Sequence, residues 1–270
     1  MSDAATGYTL AELCIVAAAE AFRHDGEILA AGSGVIPRLA ASLAMKTFNP
    51  DLMITDAGAF LLGEPCPIGQ RPADFHQANE TWLGLSRACD TFWSRKCHTI
   101  LEPSQLDRFG QANSSAQYGG LRQTGAMLAE PRGFPGLSIS SPRSFFVAGH
   151  TTRAFPPGEC DYVSYPGFNP ARLARGHSLE DIDIRRVVTD LCVMDFGGPD
   201  NQLRLLTLHP GVTVQQVQDN TGFPIAVAGT VPATAPPTAA QLAIIAALDP
   251  HQLRATVIAD NPPGEPAGQL

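Results

Sequence analysis

No two cysteines in this 270-residue chain stand at C-x-x-C spacing. The six present (Cys14, Cys66, Cys89, Cys97, Cys160 and Cys192) are scattered, which predicts reduced core thiols in a cytoplasmic protein rather than a disulfide frame or a zinc site. The nearest approach to a ligand pair is Cys97-His98, and adjacent side chains rarely converge on one ion, so no metal is expected. No basic run is present and the formal net charge is −8, which argues against nucleic acid as a partner. A small phosphorylated ligand held by a few arginines and backbone amides stays compatible with that charge. No apolar run is long enough to cross a membrane. The N-terminus has no basic region of a secretory type, and its apolar stretch from Leu13 to Ala19 is flanked by Glu12 and Glu20. G-x-S-x-G is missing too, so the serines and histidines do not form a hydrolase elbow.

What is there suits a globular core: 44% of residues are hydrophobic and 16% charged. Thr9 and Glu12 have capping-box spacing ahead of Leu13, Val16, Ala17 and Ala21 at helical period, predicting a helix that ends near His24-Asp25-Gly26. A short buried strand, Glu27 to Ala31, then runs into the tight loop Gly32-Ser-Gly34. A helix over Ile36 to Lys46 and a second strand over Asp51 to Thr55 follow. This rhythm is that of a parallel α/β sheet, in which ligands gather at the carboxyl ends of strands. The stretches Pro65 to Gly69 and Gly110 to Gly136 read as loops. Phe145 to Ala148, Tyr162 to Ser164 and Arg186 to Thr189 read as strands. Cys192 to Phe196 and Leu203 to Leu208, joined through Gly197-Gly-Pro-Asp200, read as a hairpin. Thr213 and Gln216 cap a short helix to Asp219, and Thr238 caps another to Leu248. The expected organisation is one α/β domain over 1–230, a linker and C-terminal helix over 231–260 packing on that domain or on a partner, and a disordered tail over 261–270.

Six stretches, in order, resemble the β subunit of family I coenzyme A transferases of the glutaconate type. They are Gly32-Ser-Gly34, Asp51-Leu-Met-Ile-Thr-Asp56-Ala-Gly58, Asp107-Arg-Phe-Gly-Gln-Ala-Asn113, Asp161-Tyr-Val-Ser-Tyr-Pro-Gly167, Val187-Val-Thr-Asp190 and Asp219-Asn-Thr-Gly-Phe223. The resemblance implies an open, mainly parallel sheet with flanking helices (the NagB/RpiA/CoA-transferase-like fold). It also implies an α partner of similar fold in an α2β2 heterotetramer, an active site at the subunit junction, and no cofactor, since CoA enters as part of the substrate. In the transferases a glutamate attacks the acyl thioester. Asp56 falls on its position and is one methylene shorter, and attack distances tolerate little misplacement.

Leu52-Met-Ile-Thr-Asp56, Arg132-Gly-Phe-Pro-Gly136, Asp195-Phe-Gly-Gly-Pro-Asp200 and Leu208-His-Pro-Gly-Val-Thr213 resemble a narrower branch, the steroid-ring-opening hydrolases of actinobacteria. That branch implies a cyclic β-keto acyl-CoA opened by water at a carbon–carbon bond, with the decisive carboxylate on the α subunit and no covalent CoA adduct. Two alternatives stand beside it: a CoA transferase working through Asp56, and a non-catalytic subunit that completes an active partner.

Asp56 itself has three readings: a cap for the amides of Ala57 to Ala59, a wall of the active site, or a nucleophile. The amides of Gly133, Phe134 and Gly136 are candidates for steadying an enolate, Pro135 having no N–H to offer, although the same glycines suit an ordinary turn. Asn113 suits either a thioester carbonyl or a cap. Arg122 and Arg132 have the planar fork that fits CoA phosphates or a substrate carboxylate, and either suits a plain surface as well. His150 and His209 have no nucleophile beside them and are expected to be structural.

Overall fold

The computed structural model describes residues 7–32, 34–56, 60–114, 141–173 and 175–263. The chain groups into two compact units, one of Met1–Ile100 with Ala235–Leu270, the other of Leu101–Thr234. The 231–260 stretch is thus divided, its first residues in the second unit and its helix in the first.

In the first unit the strands are β1 (Leu29–Gly32), β2 (Met53–Thr55), β3 (Phe60–Leu62), β4 (Asn79–Trp82) and β5 (Cys97–Leu101), in the order β5-β1-β2-β3-β4. β1 is parallel to both neighbours, with Leu29 opposite Met53 on one side and Cys97 on the other. β2–β3 and β3–β4 are antiparallel, so the sheet is parallel around β1 and turns back on itself toward β4. Its helices are α1 (Leu10–Ala19), α2 (Val35–Thr47) and α3 (Gly84–Trp93), with a later helix, Ala239–Leu248, packed on α1 and α2.

The capping box predicted for α1 is formed. The Thr9 amide donates to Glu12 Oε2 (2.8 Å), and Thr9 Oγ1 accepts from the Glu12 amide. Every residue from Ala11 to Ala19 is buried, so α1 is an interior helix rather than one with a single apolar stripe. Its α-helical turns stop at Ala19 and tighten into a 3-10 turn over Glu20–Phe22 before the expected end. Two of its first-turn N–H groups, which no helix can satisfy internally, are met by the C-terminal segment. Leu10 N donates to the Pro262 carbonyl and Ala11 N to Asn261 Oδ1, each at 2.9 Å. Residues 261–263, the start of the tail expected to be disordered, are held by these bonds.

The second unit carries the ribbon β6 (Gln105–Leu106) and β7 (Ala112–Asn113), then β8 (Arg143–Val147), β9 (Ile184–Thr189), β10 (Cys192–Asp195), β11 (Arg204–Leu208) and β12 (Ala226–Val227). The last five are ordered β12-β11-β10-β9-β8. β8–β9 and β11–β12 are parallel, while β9–β10 and β10–β11 are antiparallel. The predicted hairpin is the β10–β11 pair, with Cys192 opposite Leu208 and Asp195 opposite Arg204. Its turn needs Asp200 (φ 52°) and Asn201 (φ 55°) in the left-handed region, which both residue types tolerate. It is pinned by Arg204, whose Nε and Nη2 reach the two Asp195 oxygens at 2.9 and 2.6 Å. The short helix α4 (Val214–Asp219) follows its predicted Thr213 box, and α5 (Ala239–Leu248) starts after the Thr238 cap.

Both units show the expected α/β layering of partly parallel strands with flanking helices. Tyr162 to Ser164 differs from expectation, forming no strand. Ser164 N and Tyr165 N both donate to the single carbonyl of Ala112, one isolated bridge results, and Pro166-Gly167 then turns the chain away.

Candidate functional site

Asp56 leaves the carboxyl end of β2 and opens the connection to β3. Its amide donates to the Phe60 carbonyl and its Oδ1 accepts from the Phe60 amide, both at 3.2 Å, so backbone and side chain together close the hairpin. Oδ2 accepts from Gln77 Nε2 (3.3 Å), and Gln77 is fixed in turn by Arg71 Nη1 (2.8 Å to its Oε1) and by Asn79 Oδ1 (2.6 Å). Arg71 is anchored by the Pro67 carbonyl (3.1 Å) and lies over the Phe75 ring. Each carboxylate oxygen therefore has a donor. That arrangement favours the anion and engages the lone pairs a nucleophile would use. The residues of the proposed cap, Ala57 to Ala59, lie outside the described residues; the donor in view is Phe60.

Asn113 sits in the second unit, in β7, fully buried. Its Nδ2 donates to Gln105 Oε1 (2.8 Å) and its carbonyl accepts from both the amide and hydroxyl of Ser104 (2.8 Å each). The geometry in view is that of a ribbon-holding residue. Asp56 and Asn113 thus belong to different units. Arg122, Arg132, Gly133, Phe134 and Gly136 all lie outside the described residues, as does most of the Gly110 to Gly136 stretch.

The Asp107-Arg-Phe-Gly-Gln motif is a turn built on a buried carboxylate. Asp107 Oδ1 accepts from the amides of Phe109 (2.9 Å) and Gln111 (3.0 Å), and Oδ2 from the Gln111 side chain. Burial nevertheless pushes Asp107 up to about 6, outweighing those bonds. A carboxyl that sequence reading passed over is Glu102, directly after β5. Desolvation pushes it up to about 7, though the residue as a whole is exposed. No local pattern marks it; the shift comes from surrounding protein.

His150 and His209 are buried and bonded at both ring nitrogens. His150 reaches the hydroxyls of Thr189 (3.0 Å) and Thr221 (2.8 Å) and stacks on Phe155, while His209 reaches Thr234 Oγ1 (2.9 Å) and the Thr189 carbonyl (2.8 Å). Burial pulls them down to about 3 and about 4, so both stay neutral in the fold. The unfolded chain takes up those protons below its ordinary histidine value, and the fold does not. Their contribution is therefore complete above that value and is lost as pH falls toward the folded values. Asp107, Glu102 and Asp190 are raised and act in the opposite direction. The clean readout is a difference: His150→Asn should flatten the acid-side fall in urea-unfolding stability by up to about 1.4 kcal/mol per pH unit. An unchanged slope would mean that His150 takes up protons in the fold.

Cys97 and His98 are successive residues of β5 and point to opposite faces. His98 Nδ1 meets Asp25 Oδ2 at 2.6 Å, and burial pushes the Cys97 thiol up to about 12. Among the described residues no group of three or more His, Cys, Asp or Glu side chains is placed to hold a metal ion, and all six cysteines are free. Nor is any described helix long and apolar enough to cross a membrane.

Two units of partly parallel sheet with helices against them are the architecture of the CoA-transferase fold, and the solved structures agree. The chain superimposes on Rhodococcus jostii RHA1 IpdAB with a TM-score of 0.83 at 36% identity, over 93% of this chain and 98% of that one. Glutaconate CoA-transferase from Acidaminococcus fermentans gives 0.78 at 21% identity over 93% and 98%, a likeness of fold alone. In sequence, the cholesterol ring-cleaving hydrolase IpdB subunit of Rhodococcus jostii is 38% identical over 94% of this chain and 98% of its own length. The IpdB subunit of Mycobacterium tuberculosis is 36% identical over 91% and 97%. No family model matches the chain. The chain belongs to the family of these IpdB subunits.

Proposed function

We propose that this chain is the β subunit of a cytoplasmic, heteromeric hydrolase, α2β2 with a partner of the same fold, that opens a cyclic β-keto acyl-CoA at a carbon–carbon bond. Late steroid-ring breakdown is the setting. Its relatives at 36–38% identity are subunits of cholesterol ring-cleaving hydrolases, and a matching structure is a two-subunit complex. The observation that carries hydrolysis over CoA transfer is Asp56. It is an aspartate where transfer needs the longer glutamate, and both its oxygens are taken by the Phe60 amide and the Gln77 side chain.

In this reading a base, assigned to the α partner, removes a proton from water as the water oxygen bonds to the ring ketone carbon. The tetrahedral adduct collapses to a carboxylate and breaks the bond to the α-carbon. The electron pair goes to the thioester as an enolate, which takes a proton at carbon. One water is consumed and the thioester survives. Gly133, Phe134 and Gly136 would offer amides to the enolate oxygen, worth several kcal/mol when preorganised. Arg122, Arg132 and Asn113 would meet the CoA portion, which enters with the substrate; no further cofactor is required.

The second reading is a CoA transferase, favoured by 28% identity to one of the two chains of the 3-oxoadipate CoA-transferase of Pseudomonas knackmussii. Intact mass separates the two. The complex is incubated with oxocyclohexanecarboxyl-CoA (ketone β to the thioester) in oxygen-labelled water and rapidly denatured. Unmodified chain and one labelled oxygen in an opened dicarboxylic product are expected. A CoA-sized adduct on the Met53–Gly63 peptide would instead make Asp56 a nucleophile and the complex a transferase.

A further inference from the structure

The carboxylates that serve the fold have visible partners: Asp107 closes a turn, Asp195 holds Arg204, Asp249 and Glu12 hold Arg254. Glu102 has none. No hydrogen bond or ion pair among the described residues engages it. It is the single exposed residue of the stretch 97–103, with all of β5 buried before it and Pro103 buried after it. Its place is the carboxyl end of a strand that runs parallel to β1, the edge at which α/β sheets of this kind bind ligands. A lone carboxyl fixed there by buried chain on either side, open to solvent, contributes nothing to stability that would explain it.

We propose that Glu102 is a catalytic acid of this subunit, donating the proton that the thioester enolate takes when the ring bond breaks. The inference rests on the hydrolase reading above and fills its last step. The Glu102 O–H bond breaks as the new C–H bond forms at the α-carbon, leaving a carboxylate. Its exposed side then regains a proton from solvent, balancing the one the partner's base has taken from water and released. Desolvation without a neighbouring charge holds Glu102 up to about 7, so a large share carries the proton near neutrality, as a general acid requires.

The test uses the co-expressed complex with oxocyclohexanecarboxyl-CoA. Glu102→Gln should lower kcat about 10²- to 10⁴-fold with an unchanged unfolding midpoint, because no fold contact is lost. The wild-type profile should fall as pH rises through the Glu102 value, and the variant should lack that limb. Glu102→Asp, a weaker change, should restore part of kcat and move the limb to lower pH. Turnover of Glu102→Gln within about twofold of wild type, or an unmoved limb in Glu102→Asp, overturns the assignment. A wild-type complex that leaves the ring intact overturns the hydrolase reading itself, a different failure read before any variant is made.

Discussion

Gly167→Ala is expected to destabilise the protein by about 3–5 kcal/mol, enough to leave much of the chain unfolded at ordinary temperature. Two independent effects add. Gly167 has φ of 54°, in the left-handed region, where an L side chain is strained by about 1–2 kcal/mol. A Cβ built there would also lie 2.4 Å from the Phe109 carbonyl oxygen and 2.5 Å from the Gln111 amide nitrogen. Those atoms cannot withdraw cheaply. Phe168 N donates to the Phe109 carbonyl (2.7 Å), and the Gln111 amide is one of the donors to buried Asp107. Relief of the clash would therefore open the Asp107 turn and leave a buried carboxylate short of a partner. Gly149→Ala is the control, since nothing lies within 4 Å of its Cβ position. Urea unfolding of the two variants should separate them by several kcal/mol; equal midpoints would mean that the 107–111 turn yields freely.

Elements set by local chemistry were legible in the sequence. The helix-start boxes at Thr9 and Thr213 and the Thr238 cap stand where the spacing puts them, because capping needs only a side chain and an amide three residues apart. The β10–β11 hairpin is legible for the same reason, its Gly-Gly-Pro-Asp turn lying between two apolar runs. The region from Phe60 to Leu101 was not legible. β3 and β4 are only three and four residues long, and every residue of β4 is exposed, so neither shows the apolar run or alternation that marks a strand. β5 is buried throughout but opens Cys-His-Thr, which looks polar until Asp25, far away in sequence, is found on His98. The site divides similarly. Asp56 is visible as a strand-end carboxylate, while its Gln77 and Arg71 supports come from a stretch without periodicity. Glu102 is invisible because its character lies in crowding by protein, a property of the folded chain and not of any neighbour in sequence.

The other large effect concerns the bond between the two ends of the chain. Arg254→Ala should cost about 3–5 kcal/mol, the loss typical when one partner of a buried ion pair is removed. Arg254 Nη2 meets Glu12 Oε1 at 3.0 Å and its Nη1 meets Asp249 Oδ2 at 2.9 Å, with Asp249 fully enclosed. Neither carboxylate is idle. Glu12 completes the α1 cap, and Asp249 takes the amides of Leu253 (2.8 Å) and Arg254 (3.0 Å). Without the guanidinium, two carboxylates are left poorly solvated and in mutual repulsion, and the same change loosens the segment whose Asn261 and Pro262 meet the first amides of α1. The sign with pH follows. A proton on either carboxyl removes the repulsion, so the penalty should shrink as pH is lowered from about 8 to about 5. Arg254→Lys should recover only part of the loss, because an ammonium cannot present two forked N–H edges to two carboxylates at once. Chemical denaturation of the three forms at both pH values measures this. A penalty below about 1 kcal/mol, or one independent of pH, would place Arg254 among surface pairs that contribute little and leave α1 anchored by its apolar contacts alone.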